Sequence, residues 1–112
     1  MKVIENNIIP FQGFLAMNLF GFCFVRKEAW ARRTEERKKV VINHESIHTE
    51  QMKELGYVFF YIIYFFEWLL RLFTNPKNAY RSISFEQEAY DNENDFDYIA
   101  NRKHYAQWKK KK

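Results

Sequence analysis

The chain has little of what makes irregular or cross-linked structure. Its 112 residues include one cysteine, two prolines and three glycines. A lone Cys23 excludes an intrachain disulfide framework and reads as a small buried hydrophobe. So little glycine and proline excludes a collagen-like repeat or a loose linker. There is no internal repeat. The apolar stretch Phe11–Val25 lacks a basic segment before it and a small-residue cleavage site after it, since Arg26 follows directly. It is therefore not read as a signal peptide, and a reducing, cytoplasmic setting is expected.

Excess charge is also scarce. Eighteen Lys+Arg against fourteen Asp+Glu leave +4, and Lys109–Lys112 account for all of it. The balance describes a basic tail (109–112) on a neutral domain (1–108). That tail is either a solvated terminus or a weak anchor for anionic lipid or nucleic acid. With no zinc ribbon, RNP motif or recognition helix, no nucleic-acid partner is expected.

What the chain does have is aromatic residues, at 20%. That richness excludes global disorder and suits a small domain that must gain buried area from few side chains. The stretch 14–25 is apolar on both alternating faces, interrupted by Asn18 and Gly21. It reads as one or two buried strands bent near Gly21, with a helix as the alternative. Arg26–Arg33 reads as a polar connector. Thr34 followed by Glu35 and Glu36 offers a cap and an acidic first turn for a helix running to Met52 or beyond, which Gly56 ends or bends. Leu55–Phe73 is nearly long and apolar enough to span a membrane, with only Glu67 and Arg71 charged. Its Tyr57, Tyr61, Tyr64, Trp68 and Arg71 share one helical face, and Glu67 and Arg71 are spaced to pair, which favours a helix buried in the domain. After a turn at Thr74–Asn78, Ser84 stands three residues before Gln87, as in a capping box. The last helix is expected from Ser82 or Ser84 to about Asn101. The acidic run Asp91, Glu93, Asp95 and Asp97 reads as a solvated helix face. The expected fold is α+β and mostly helical: a short N-terminal strand pair or hairpin, then a helical core.

His44-Glu45-Ser46-Ile47-His48 is an HExxH sequence on the first long helix. Four residues are about one helical turn, so both imidazoles point the same way and can hold one zinc ion. Glu45 then stands beside them, placed to take a proton from metal-bound water as it attacks a carbonyl. The bland alternative is a pair of histidines packed on aromatic rings.

Downstream stands Ser84-Phe85-Glu86-Gln87-Glu88-Ala89-Tyr90. With this run and the HExxH, residues 14–95 resemble the gluzincin metallopeptidases. Within them they look like the minigluzincins and the peptidase cores of the CAAX-prenyl-protease and antibiotic-sensor types. They are also similar to small bacterial proteins with HExxH, an aromatic helix and a Ser-Phe-Glu-x-Glu-Ala-Tyr run. The resemblance implies a zincin-type helical core in which Glu86 is the third zinc ligand, with Glu88 as its competitor. It also implies an aspartate that steadies a ligand histidine, but Tyr90 occupies that place here. Asp91 is one residue on, about 100° around the helix. Tyr90, Tyr80 and His104 are the candidates for stabilising an oxyanion. The activity implied is zinc-dependent hydrolysis of a peptide or protein substrate. A catalytically inactive zinc-binding interaction protein and a membrane-peripheral structural protein are the alternatives. A zinc shared by His44, His48 and Glu86 is incompatible with Leu55–Phe73 as a simple single pass, because the chain would have to return through hydrocarbon to reach Glu86. A peripheral membrane contact through Leu55–Phe73 and self-association are the other partners the sequence allows.

Overall fold

The apolar N-terminal run folds as a hairpin, and a third strand joins it. A computed structural model describes residues 2–9 and 15–108. The first residues of the 11–25 run and the lysine tail lie outside them. Strands β1 (Val3–Asn6), β2 (Ala16–Leu19) and β3 (Phe22–Arg26) form a sheet in the order β1-β3-β2, with β1 parallel and β2 antiparallel to β3. Leu19 pairs with Phe22 across a two-residue turn in which Phe20 and Gly21 both have positive φ, 52° and 93°. This is the turn geometry that follows the right-handed twist of a hairpin. The bend foreseen near Gly21 is that turn. The parallel strand β1 was not foreseen.

The segment read as a polar connector contains a short helix, α1 (Lys27–Ala31), which buries Trp30 beside Cys23, Val25 and Val41. The long helix α2 (Glu35–Leu55) begins where Thr34 Oγ1 accepts from Arg37 N at 3.1 Å and ends at Gly56, φ 81°. Asn18, the polar interruption in β2, pins the sheet to α2. Its Nδ2 donates to Glu45 O at 2.6 Å and to Thr49 Oγ1 at 2.8 Å.

Helix α3 (Tyr57–Thr74) departs from the expectation of a buried helix. Phe60 is its only buried residue. The shared face of Tyr61 and Tyr64 does turn inward, but because buried oxygens wait there. Tyr61 Oη donates to Asn18 O at 3.0 Å, and Tyr64 Oη donates to Glu86 Oε2 at 2.7 Å. Glu67 does not pair with Arg71. Its carboxylate accepts from Ser84 N at 2.8 Å and from Ser84 Oγ at 2.7 Å. Among the described residues α3 is the one helix long and apolar enough to cross a membrane, by length and composition.

After α4 (Ala79–Ser82), helix α5 runs from Ser84 to Asn92, and α6 (Tyr98–Asn101) follows separately. Ser84 is the first residue of α5 and its cap is the Glu67 carboxylate, so the capping box foreseen with Gln87 does not form. The helix expected to reach Asn101 stops nine residues early for an identifiable reason. Asn43 Nδ2 donates to the carbonyls of Asn92, Glu93 and Asp95 at 3.4, 2.8 and 3.0 Å, holding the chain in a turn there. The fold is α+β and mostly helical, with one core under the sheet and a second around Met52, Phe60, Ile83 and Phe85. Along α2, His44 and His48 fall between Val41 of the first core and Met52 of the second.

Candidate metal centre

His44 and His48 lie one turn apart on the buried face of α2, and α5 presents Glu86 to both. The two Nε2 atoms stand 3.1 and 3.0 Å from the same oxygen, Glu86 Oε1. One nitrogen from each ring and a carboxylate oxygen lie within 4.8 Å of one another. Two imidazoles and a carboxylate are a donor set suited to tetrahedral zinc with one position left open.

The outer edges of the ligands fit the same reading. His44 Nδ1 donates to Glu93 Oε1 at 2.9 Å, and His48 Nδ1 faces Gln51 Oε1 at 2.8 Å. With each Nδ1 turned to an oxygen acceptor, each Nε2 points inward with its lone pair available to a cation. Gln51 is anchored in turn, its Nε2 donating to Phe85 O at 3.0 Å and Glu88 Oε1 at 2.9 Å. Tyr64 fixes the second oxygen of Glu86.

Without a cation, Glu86 and His48 compensate one another. Burial pushes the Glu86 carboxyl up, but the charge of His48 and the bonds to both histidines outweigh it and hold it well below the usual carboxylate range. Burial lowers the His48 pKa, and the charge and hydrogen bond of Glu86 overcome that, raising it to about 9. Glu45 is buried beside the pair. Its carboxyl is raised, chiefly by burial, against the opposing pull of His48 and His44.

A cleft of about 350 Å³ opens on the His44 and Glu45 side. Leu15 and Ala16, at the start of β2, form one wall, and Tyr80, Arg81, Tyr90 and Glu93 line the rest with others. The Tyr90 ring meets His44 edge-on at 4.7 Å, and the Arg81 guanidinium covers the Tyr90 ring at 4.1 Å. Burial, reinforced by Glu86, pushes both the Tyr80 and Tyr90 hydroxyls up, so each remains a hydrogen-bond donor at neutral pH.

Other sequence candidates are elsewhere. Glu88 binds Gln51, Tyr98 and Arg102 and does not join the triad. Asp91 is exposed on α5. His104 is also exposed, with Nδ1 2.9 Å from Glu54 Oε2, in a separate depression with Glu50 and Lys53. Glu93 corrects the reading of the acidic run as a solvated face: its side chain is 12% exposed and holds His44. Glu93, the C-cap of α5, stands seven residues after Glu86, close to the same helical face. That spacing was the signal in the sequence, and Asn43, an amide beside the HExxH able to trap carbonyls at a helix end, was a second.

No protein-family model, curated protein or solved structure matches the chain.

Proposed function

We propose that the protein is a gluzincin-like zinc metallopeptidase that hydrolyses peptide bonds in a peptide or protein substrate. The observation that carries the reading is the convergence of His44 Nε2, His48 Nε2 and Glu86 Oε1, with the Glu45 carboxyl buried beside them at the edge of an open cleft. His44, His48 and Glu86 would hold the ion. When bound, zinc supplies a Lewis acid for the scissile carbonyl and lowers the pKa of water. Glu45 takes a proton from the attacking water and returns it to the leaving amine. Tyr80 and Tyr90 line the same cleft, where a phenol hydroxyl suits an oxyanion; the Tyr80 hydroxyl also bonds the Glu86 carboxylate. Glu93 keeps His44 in the tautomer that offers Nε2, the task the Tyr90 substitution leaves open. Cys23, a buried free thiol, fits a reducing, cytoplasmic setting.

The test is turnover of a broad peptide library by the zinc-loaded chain and by Glu45→Gln. The substitution keeps size and removes the base, so zinc should stay bound while turnover falls about 10²-fold or more. Turnover that survives in Glu45→Gln would refute the mechanism. Zinc binding without turnover in the parent chain would favour a metal-binding interaction protein.

A further inference from the structure

Helix α3 is amphipathic in the reverse of the usual sense for a protein in water. Its hydrogen-bonding side chains Tyr61, Tyr64 and Glu67 face the domain, held by Asn18, Glu86 and Ser84. The opposite face carries Phe59, Ile62, Phe65, Phe66, Leu70 and Phe73, which are 44–86% exposed, with no charged residue among them. Phe20 extends this surface. It occupies a left-handed position in the β2–β3 turn, costly for a bulky residue, with its ring against Tyr61 at 5.1 Å and 56% exposed. An apolar groove of about 440 Å³ runs between Phe20 and the outer face of α3. A contiguous surface of this kind marks a docking site.

The charges around it identify the occupant. Lys77 is exposed just beyond the C-terminus of α3. Trp108 Nε1 donates to Ser84 Oγ at 3.1 Å, and Ser84 Oγ donates to Glu67 of α3. Past Trp108 the sequence continues as Lys109–Lys112. Trp108, the residue that precedes this run in sequence, is thus held two hydrogen bonds from the middle of the apolar helix. The stacked rings of Tyr105 and Trp108, both about half exposed, stand beside it, and amphipathic rings of this type favour the headgroup level of a bilayer. A second copy of the chain would bring a second lysine run of the same sign, whereas an anionic bilayer supplies the opposite one.

We propose that α3 lies in the headgroup–acyl boundary of an anionic membrane, apolar face inward to the lipid, with Lys77 and the lysine run supplying the electrostatic attraction. The helix lies along the surface and does not cross it. The domain is tied to α3 from Tyr61 to Glu67, so a crossing would draw those polar groups and their partners into hydrocarbon.

Co-sedimentation of the full chain with vesicles of equal parts phosphatidylcholine and phosphatidylglycerol tests this. Binding is expected, weakening by roughly tenfold or more when Lys109–Lys112 are replaced by Gln or when salt is raised. It should be abolished by Phe66→Glu with Phe73→Glu. Both positions are exposed, so the fold, checked by circular dichroism, should survive. Spin labels on Val58→Cys and Phe73→Cys, near the two ends of α3, should report similar shallow depths. Absence of vesicle binding overturns the proposal, as does binding that neither set of substitutions weakens. Depths that differ by the span of a bilayer would show a crossing and overturn it. So would a dimer that Phe66→Glu dissolves in a chain that does not bind vesicles.

Discussion

Glu93 Oε1 accepts the Nδ1 proton of His44 at 2.9 Å, from a position just past the end of α5. The bond fixes the ring so that Nε2 faces His48 and Glu86. Arg37 Nη1 stands 3.6 Å from the other Glu93 oxygen. Glu93→Ala should therefore weaken zinc binding by about 10- to 100-fold. Asp91→Ala, on the exposed side of α5, should leave it within about twofold. Competition with a chromophoric chelator reads both, and a larger effect at Asp91 would reverse the assignment.

The metal-free protein should have a characteristic pH profile. His48 is raised from 6.5 to about 9, so its contribution is fully present below pH 6.5 and is lost as pH rises through 9. That gap corresponds to stability on the order of 3 kcal/mol. Glu86 is depressed from 4.5, so its contribution holds above that value and disappears only in stronger acid. Thermal melts in chelator should show greatest stability between about pH 5 and 6.5 and a decline toward pH 9. Zinc should reverse the trend, because binding must displace the His48 proton and so strengthens as pH rises. A melting temperature that stays flat from pH 6.5 to 9 in chelator would rule out the protonated pair.

Asn43 is not a ligand, yet it should matter to the site. Its amide holds three carbonyls at the end of α5 and so places Glu93. Asn43→Ala should cost roughly 1–3 kcal/mol in urea unfolding. It should also weaken zinc binding in the same direction as Glu93→Ala. Loss of stability with unchanged zinc affinity would separate the turn from the site.

The two glutamates of α5 should have separable phenotypes. Glu88 pairs with Arg102, whose side chain is 5% exposed. Glu88→Ala leaves that cation short of a partner and should destabilise the fold by roughly 3 kcal/mol while zinc still binds. Glu86→Ala should do the opposite, losing zinc with a smaller effect on the fold at high pH, where His48 is neutral. Urea unfolding and metal content, measured on both variants, check the pair.

The parts of this structure that local chemistry governs were legible in the sequence. Thr34 and Gly56 bracket α2, Gly21 marks the hairpin turn, and the four-residue spacing of His44 and His48 survives as a shared buried face. The parts that depend on tertiary partners were not. The periodicity of α3 separates two faces, but polarity alone suggests the wrong accounting of what lies inside. Tyr61, Tyr64 and Glu67 turn inward because Asn18 O, Glu86 and Ser84 meet them there, and the phenylalanines are left outside. Glu93 was legible only in part. Its spacing of seven from Glu86 puts it near the same helical face, but its meeting with His44 depends on Asn43, about fifty residues away in sequence, holding the end of α5.

Elemental analysis of the purified chain and of Glu86→Ala, after zinc loading and desalting, tests the central claim most directly. The account predicts one zinc per chain in the parent protein and loss of that zinc in the variant. A parent chain that retains no zinc, or a variant that retains as much as the parent, would contradict it.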